Sequence, residues 1–199
     1  MRTYGITRNN NDTKVSFSVN LDGVGKSKIS TPNDFLNHML VLFAKYSSID
    51  LYVSCELVTK QYDDHRVVED IALAFGKAFS EALGDRHHIG TCAHAIVPDE
   101  EALVMAVVDV SGNFYTRYDV PVENERIGGM STELIEDFFT TFARAAGINL
   151  NLKKIYGVNA HHIIECTFKA AAVAIKEAVA EDEDLVIKRL STGKQQLAE

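Results

Sequence analysis

The segment DHRVVEDIALAFGKAFSEAL (residues 64–83) decides the fold, because AHHIIECTFKAAAVAIKEAV (160–179) repeats its pattern 96 positions later. In both segments apolar residues recur every three or four positions, a spacing typical of an amphipathic helix. An offset of 99 places FAKYSSIDL (43–51) over FARAAGINL (142–150). The chain therefore looks like two copies of one unit of about 90 residues, joined by loops of unequal length.

A chance alignment of two helices rich in alanine and glutamate is the alternative interpretation. Against it, His65 coincides with His161, and Glu69 coincides with Glu165. In each copy, strand-like stretches alternate with helical ones, so the order strand-helix-strand-helix occurs twice. We expect a first half-repeat over residues 1–90, a second over 91–182, and a charged C-terminal tail over 183–199 that contains STGK.

Composition excludes several classes of protein. The 199 residues carry a formal net charge of −8, which argues against a nucleic-acid binder or a protein that binds anionic membranes. No apolar run reaches the roughly 20 residues of a membrane span. The polar N-terminus lacks the apolar stretch of a secretion signal, and three widely spaced cysteines are typical of reduced thiols. These features predict a cytoplasmic location.

The repeated histidine–glutamate pairs suggest metal binding. Residues four apart share one helix face, so His65 with Glu69, and His161 with Glu165, can each offer a nitrogen and an oxygen to one divalent ion. A single pair of this kind is more often a surface ion pair or a helix cap, but two copies at matching positions favour a metal. His162 points about 100° around the same helix and could serve a second centre.

Other candidate residues carry weaker signals. His38, in FLNHML, could be a ligand or an ordinary core histidine. The hydroxyls of Ser191 and Thr192, with Lys194, could bind a phosphate, although the motif is not a P-loop. Over residues 131–147 the sequence predicts a helix that opens with a capping box, Ser131 or Thr132 preceding Glu133 to Glu136.

Several motifs together resemble the imidazoleglycerol-phosphate dehydratase family of histidine biosynthesis. They are FLNHML, DDHRVVED, ELIEDFFTTFARAAG, YGVNAHHIIECTFKA and the terminal ST-K. The resemblance implies an α+β fold of tandem duplicated half-domains, each a four-stranded sheet packed with two helices, which is ribosomal protein S5 domain 2-like. It further implies trimers assembled into a 24-mer, with two manganese ions per active site at subunit contacts. Such an enzyme removes water from imidazole glycerol phosphate to give imidazole acetol phosphate.

The sequence departs from the family pattern at several sites. Arg66 and Asn151 replace two histidines that the resemblance would make metal ligands, and Tyr46 replaces a third histidine. Asp12 stands where the family has a glutamate that contacts substrate. Two arginines that would bind phosphate are missing, near Thr91 and Asn113, and Lys153, Lys194 or Arg86 could replace them.

The resemblance implies roles for individual residues. We expect catalytic roles for Glu69, Glu165 and Asp12. We expect Arg66, Ser191, Thr192 and Lys194 to contact the substrate. The expected metal ligands are His38, His65, Glu69, His161, His162 and Glu165.

The most economical grouping places His38 with His65, Glu69 and His162 in one intact centre, and leaves the other centre with His161 and Glu165 beside Arg66. Because arginine cannot bind a cation, this grouping predicts one divalent ion per site, manganese, rather than two. Two alternatives stay open: a divergent paralogue that acts on another small substrate, and a metal-binding relative without catalysis.

Overall fold

A computed structural model describes residues 1–59 and 62–182. Its first half contains four strands and two helices. They are β1 (Thr3–Asn9), β2 (Thr13–Asn20), β3 (Ser27–Ser30), α1 (Asp34–Ser47), β4 (Asp50–Leu57) and α2 (Asp64–Leu83).

The second half repeats this order with one addition, a short ribbon before its first helix. Its elements are β5 (Cys92–Asp99), β6 (Ala102–Asp109), β7 (Tyr115–Asp119), the ribbon strands β8 (Arg126–Ile127) and β9 (Met130–Ser131), α3 (Leu134–Ala146), β10 (Asn149–Tyr156) and α4 (Ala160–Ala178). A 3-10 turn, Arg86–His88, lies between the halves.

The two halves have the same sheet topology. The strand orders are β1-β2-β4-β3 and β5-β6-β10-β7, and in each sheet only the last pair is parallel. The predicted α+β fold with two four-stranded sheets and four helices is thereby confirmed. The boundaries at residues 90 and 182 and the S5-like classification stay predictions, and the tail over 183–199 lies outside the described residues.

The predicted capping box at residues 131–136 is wrong. Helix α3 begins at Leu134, and Glu133 occupies its N-cap without a side-chain hydrogen bond to the backbone. Neither hydroxyl caps the helix, because that of Ser131 donates to Glu133 Oε1 and that of Thr132 donates to the backbone carbonyl of Asn124.

One aromatic cluster joins the halves into a single core. Phe75 of α2 stacks on Phe17 of β2, with ring centroids 4.8 Å apart, and lies 4.5 Å from Phe142 of α3. Gly76 allows this approach, since a Cβ at that position would lie 2.5 Å from the Phe142 carbonyl oxygen. Each long helix thus covers the sheet of its own half and packs on the short helix of the other half: α2 on α3, and α4 on α1.

The buried Asp50 fixes the loop between β2 and β3. Its Oδ1 accepts hydrogen bonds from the backbone N–H groups of Val24, at 2.9 Å, and Lys26, at 2.8 Å. Burial alone would raise the pKa of Asp50, but these hydrogen bonds outweigh it and hold the pKa below its ordinary value. Across the described part of the chain, no helix is long and apolar enough to cross a membrane.

Candidate metal centre

Matching N-caps position the histidine–glutamate pairs at the starts of the two long helices. The side chain of Asn159 accepts a hydrogen bond from the backbone N–H of His161 at 2.9 Å. Asp63 does the same for His65 at 3.1 Å. Capping satisfies N–H groups that a helix start leaves free, so each histidine sits in a first turn.

The structure brings three ligand-type side chains together at the start of α4. Glu165 Oε1 lies 2.8 Å from His38 Nε2 and 2.7 Å from His161 Nε2. Their ligand atoms all lie within 4.8 Å of one another, and within residues 1–59 and 62–182 this is the one such group of three. Two imidazole nitrogens and a carboxylate oxygen at this spacing form a possible metal site.

The expected grouping of His38 with His65 and Glu69 stays a prediction, because the resemblance places the centres at subunit contacts. Within the single chain, His38 lies beside His161 and Glu165, because α1 packs against α4. The expected combination of one intact centre and one damaged centre likewise stays a prediction.

A buried lysine holds the other oxygen of Glu165. Lys169 Nζ lies 3.1 Å from Glu165 Oε2 and 2.8 Å from Asp99 Oδ2, and its side chain is only 8% exposed. The ring centroid of Tyr46, at a position where the resemblance implies a histidine, lies 5.6 Å from the same Nζ. The sequence analysis missed Lys169, although its position one turn after Glu165 on the same helix face was a usable signal.

The charge on Glu165 follows from these contacts. Burial alone would raise the pKa of its carboxyl group, but hydrogen bonds from His38, Lys169 and His161 outweigh burial and lower the pKa to about 2. The group is therefore an anion at neutral pH, with one oxygen facing the histidines and the other facing Lys169.

His162 points away from this cluster toward Glu101. Its Nδ1 lies 2.6 Å from Glu101 Oε2, while Glu101 Oε1 accepts a hydrogen bond from the backbone N–H of Asn159 at 2.8 Å. The contact with His162 lowers the pKa of Glu101 to about 2 and raises that of His162. Glu101 therefore orients His162 through Nδ1, which leaves Nε2 as its outward-facing nitrogen.

The second histidine–glutamate pair forms a looser group. His65 Nε2 lies 3.8 Å from Asp137 Oδ2 on α3. Glu69 is exposed, and within the described residues its carboxylate has no hydrogen-bond or ion-pair partner. The single chain does not bring His65 and Glu69 into the His38 cluster.

Of the residues expected to bind phosphate, Arg66 is described by the structure. Arg66 Nη1 lies 2.9 Å from Asp12 and its Nε lies 3.5 Å from Asp63, so two carboxylates already surround its charge. These three residues line a cavity of about 250 Å³. Ser191, Thr192 and Lys194 lie outside the described residues.

Arg86 stabilises the fold through hydrogen bonds to the backbone. Its guanidinium donates to the backbone carbonyls of Val110, Ala146 and Gly147. Asn151 lies on the second sheet and donates to Asn149 at 2.8 Å. Neither residue takes part in the His38 cluster.

Comparison with known proteins shows which family the chain matches. The family model described as imidazoleglycerol-phosphate dehydratase matches residues 31–175. The chain belongs to the imidazoleglycerol-phosphate dehydratase family. The residues of the His38 cluster all lie within the matched range.

Relatives and solved structures extend the match over nearly the whole chain. An imidazoleglycerol-phosphate dehydratase of Salinibacter ruber is 44% identical over 178 residues, 89% of this chain and 88% of the relative. One of Acetivibrio thermocellus is 41% identical over 182 residues, 92% of this chain and 93% of the relative. The crystal structure of the Staphylococcus aureus dehydratase superposes with a TM-score of 0.81 at 33% identity and covers 90% of this chain and 99% of that one.

Proposed function

We propose that this protein is an enzyme that removes water from imidazole glycerol phosphate to give imidazole acetol phosphate, a step of histidine biosynthesis. The observation that carries the proposal is the convergence of His38, His161 and Glu165 on one point in a chain that belongs to the dehydratase family. The reaction breaks a carbon–oxygen bond on the carbon next to the imidazole ring and a carbon–hydrogen bond on the following carbon, and the two fragments leave as water. A centre that binds an imidazole ring as a further ligand suits that substrate.

The donor set supports a divalent metal, and we propose manganese, with one tightly bound ion per site. When bound, a metal in contact with the substrate ring would make the ring N–H more acidic, and the more electron-rich ring would favour loss of the neighbouring hydroxyl group. His38 and His161 would hold the ion through their Nε2 atoms, and Glu165 through Oε1. Their present hydrogen bonds to one another already bring these atoms together.

The surrounding residues prepare this donor set. Lys169 fixes the orientation of Glu165, because it binds the oxygen that does not face the histidines. Asp99 holds Lys169 in turn, at 2.8 Å. A ligand whose position is fixed in advance costs less free energy to order when the ion binds.

Substrate binding and catalysis draw on further residues in this proposal. Arg66 and the terminal Ser191, Thr192 and Lys194 contact the phosphate. To reach it, Arg66 breaks one of its ion pairs with Asp12 and Asp63. Glu69 and Asp12, with Glu165, are the proposed catalytic carboxylates. His162, with Glu101 behind it, presents Nε2 for a metal or for the substrate.

Self-association completes the proposed site. Helix starts that carry His65 and Glu69 on one protomer would meet those that carry His161, His162 and Glu165 on another. We propose trimers that assemble into a 24-mer, a cytoplasmic location, and neither a nucleic acid nor a membrane as partner. The net charge of −8 supports the last point.

Two measurements test the proposed function. The full-length protein should restore growth without histidine to a strain that lacks the dehydratase, and the purified protein should convert imidazole glycerol phosphate. His161→Ala should lower kcat/KM by about a thousandfold or more, since it removes a ligand of the electrophile. His87→Ala is the control, since His87 is exposed and, among the described residues, its side chain pairs with Asp85 alone.

The outcome can also favour an alternative. Manganese that raises the melting temperature without any turnover would contradict the proposal and favour a metal-binding relative without catalysis. The replacements at Arg66 and Asn151 are the observation in favour of that reading. Turnover of a different small substrate alone would favour a divergent paralogue.

A further inference from the structure

The imidazole ring of His161 needs support that its helix cap does not give. Asn159 accepts a hydrogen bond from the backbone N–H of His161, which leaves the side-chain torsions unfixed. That side chain is 46% exposed, and a cavity of about 230 Å³ separates it from Asn124 and Ile127 of the ribbon segment. Its hydrogen bond to Glu165 uses Nε2, the nitrogen that a metal would take. Another contact must therefore orient the ring, or ordering it would cost side-chain entropy when an ion binds.

Phe35, in the first turn of α1, packs on this imidazole. The two ring centroids lie 5.4 Å apart and the ring planes are inclined by 76°, an edge-to-face arrangement that aromatic pairs prefer. In the described part of the chain it is the nearest ring to His161, since the rings of His38 and His162 lie 6.1 Å and 6.2 Å away. Phe35 is only 6% exposed, so a buried side chain contacts the exposed ligand.

The turn of the ribbon holds Phe35 from another side. Gly128, with φ of 55°, approaches so closely that a Cβ at that position would lie 2.9 Å from the Cβ of Phe35. Only glycine allows both this backbone conformation and this approach. The ribbon is tied to the start of α2 as well, because Arg126 donates a hydrogen bond to Asp64 at 3.1 Å. Phe35 therefore contacts both the anchored ribbon and His161.

The other half of the chain provides a comparison without the ring. The offset of 99 places Leu134 at the position equivalent to Phe35. In that half His65 is the equivalent of His161, and no aromatic ring contacts it within the described residues. The His65 side chain is 55% exposed and lies 3.8 Å from Asp137, beyond hydrogen-bond distance. The histidine that has the ring contact is thus the one that lies in a converging cluster.

We propose that Phe35 is a positioning residue for His161. Its ring, held by the Gly128 turn, keeps the imidazole oriented with Nε2 toward Glu165, where the ion would bind. This inference rests on the proposed function and adds to it a residue that acts through His161 and donates no ligand atom. The competing role is that of an ordinary core residue, which would affect stability alone.

Manganese titration of the metal-free full-length protein, followed by electron paramagnetic resonance, separates these two roles. Phe35→Leu installs the residue of the other half and should weaken the tightest Mn²⁺ equivalent by about tenfold. Phe79→Leu is the matched control, because it removes a fully buried ring that packs on Phe142. The control should lower the melting temperature at least as much but change the Mn²⁺ affinity by less than about twofold. Equal Mn²⁺ affinities of the two variants would overturn the inference.

Two neighbouring glycines give an independent test that leaves Phe35 in place. Gly128 and Gly129 both have left-handed backbone, with φ of 55° and 82°, so alanine strains the ribbon turn at either position. A methyl group at position 128 would press on Phe35, whereas none of the described atoms lies within 4 Å of one at position 129. Gly128→Ala should weaken Mn²⁺ binding by about threefold or more, and Gly129→Ala should leave it unchanged. Equal effects would contradict the proposed role of Phe35.

A metal-free crystal structure of Phe35→Leu reads the orientation directly. We expect His161 Nε2 to move out of hydrogen-bond distance of Glu165 Oε1, from 2.7 Å in the wild type, whereas Phe79→Leu should keep this contact. An unchanged His161 in Phe35→Leu would overturn the inference.

The inference and the proposed function fail separately. A wild type that turns over imidazole glycerol phosphate, with a Mn²⁺ affinity indifferent to Phe35→Leu, keeps the function and rejects the positioning role. A Mn²⁺ affinity that depends on Phe35, in a protein that turns over no imidazole phosphate, keeps the positioning role and rejects the function.

Discussion

The two helix pairs of this chain share one design but differ in how firmly they hold their ligand-type residues. In the α1–α4 pair, Glu165 is fixed by Lys169 and lies within 2.8 Å of two histidine nitrogens. In the α2–α3 pair, Glu69 is followed one turn later by Leu73, and nothing in the described residues holds its carboxylate. Repeating a histidine–glutamate pair therefore does not by itself repeat an ordered site, because the neighbouring residues that bind these side chains decide how well they are ordered.

The largest expected effect comes from replacing Lys169 with leucine, the residue at the equivalent position of α2 (Leu73). Lys169→Leu leaves Glu165 and Asp99 as neighbouring carboxylates in a largely buried place without their shared cation. We expect the free energy of unfolding to fall by about 3 kcal/mol in urea denaturation. The exposed Lys176→Leu is the control, with an expected change under about 0.5 kcal/mol.

The double variant Lys169→Leu with Asp99→Asn refines this prediction. Removing both charges should recover part of the loss, because fewer unpaired charges remain buried. A single variant as stable as the wild type would mean that the α1–α4 pair is held by packing alone.

The next comparison concerns Asp50, whose counterpart in the second half is Asn149. Asp50→Asn should lower the free energy of unfolding by about 1.5 kcal/mol at pH 7, because charge-assisted hydrogen bonds to two backbone N–H groups become neutral ones. The pKa of Asp50 in the folded protein lies below its unfolded value, so the stabilisation is present above the unfolded pKa and is lost as the pH falls through the folded pKa.

Urea denaturation at pH 7 and at pH 3 checks this prediction. The gap between the wild type and Asp50→Asn should be largest at pH 7 and should shrink in acid. A gap that grows as the pH falls would contradict the assigned direction.

The smallest expected effect comes from the ends of α1 and α3. Ser48 and its counterpart Gly147 both have left-handed backbone, with φ of 61° and 63°. Because only glycine adopts that conformation without steric cost, Ser48→Gly should raise the free energy of unfolding by about 0.5 kcal/mol, and Gly147→Ser should lower it by about 1 kcal/mol. Melting curves of both variants check these two changes in stability. Changes of the same sign would contradict the conclusion that the ends of α1 and α3 are equivalent.

Much of the fold could be predicted because its signals are local. The long helices carry a clear apolar period, and the coincidence of His65 with His161 revealed the duplication before any contact was known. The ribbon at Arg126–Ile127 and Met130–Ser131 was missed, since two-residue strands leave no periodic pattern. The predicted cap of α3 failed because the hydroxyls of Ser131 and Thr132 donate to Glu133 and Asn124 instead.

The sequence indicated that His161 and Glu165 lie together, but not that His38 joins them within the chain. The spacing of His161 and Glu165 on one helix face follows from helix geometry alone. The partner of His38 depends on which helices pack across the two halves, and a single sequence does not contain that information. Lys169 was missed for a related reason: its position one turn after Glu165 indicates only that pair, and the sequence gives no sign of Asp99, which lies 70 residues earlier.

The exchange of short helices between the halves has an evolutionary consequence. A single ancestral half could build such a centre only by pairing with an identical chain, which would have given two identical centres. Fusion into one polypeptide removed that obligation, since each half could then accept its own substitutions. Position 38 carries a histidine, whereas the position 99 residues later carries an aspartate, so the two halves now differ at that place.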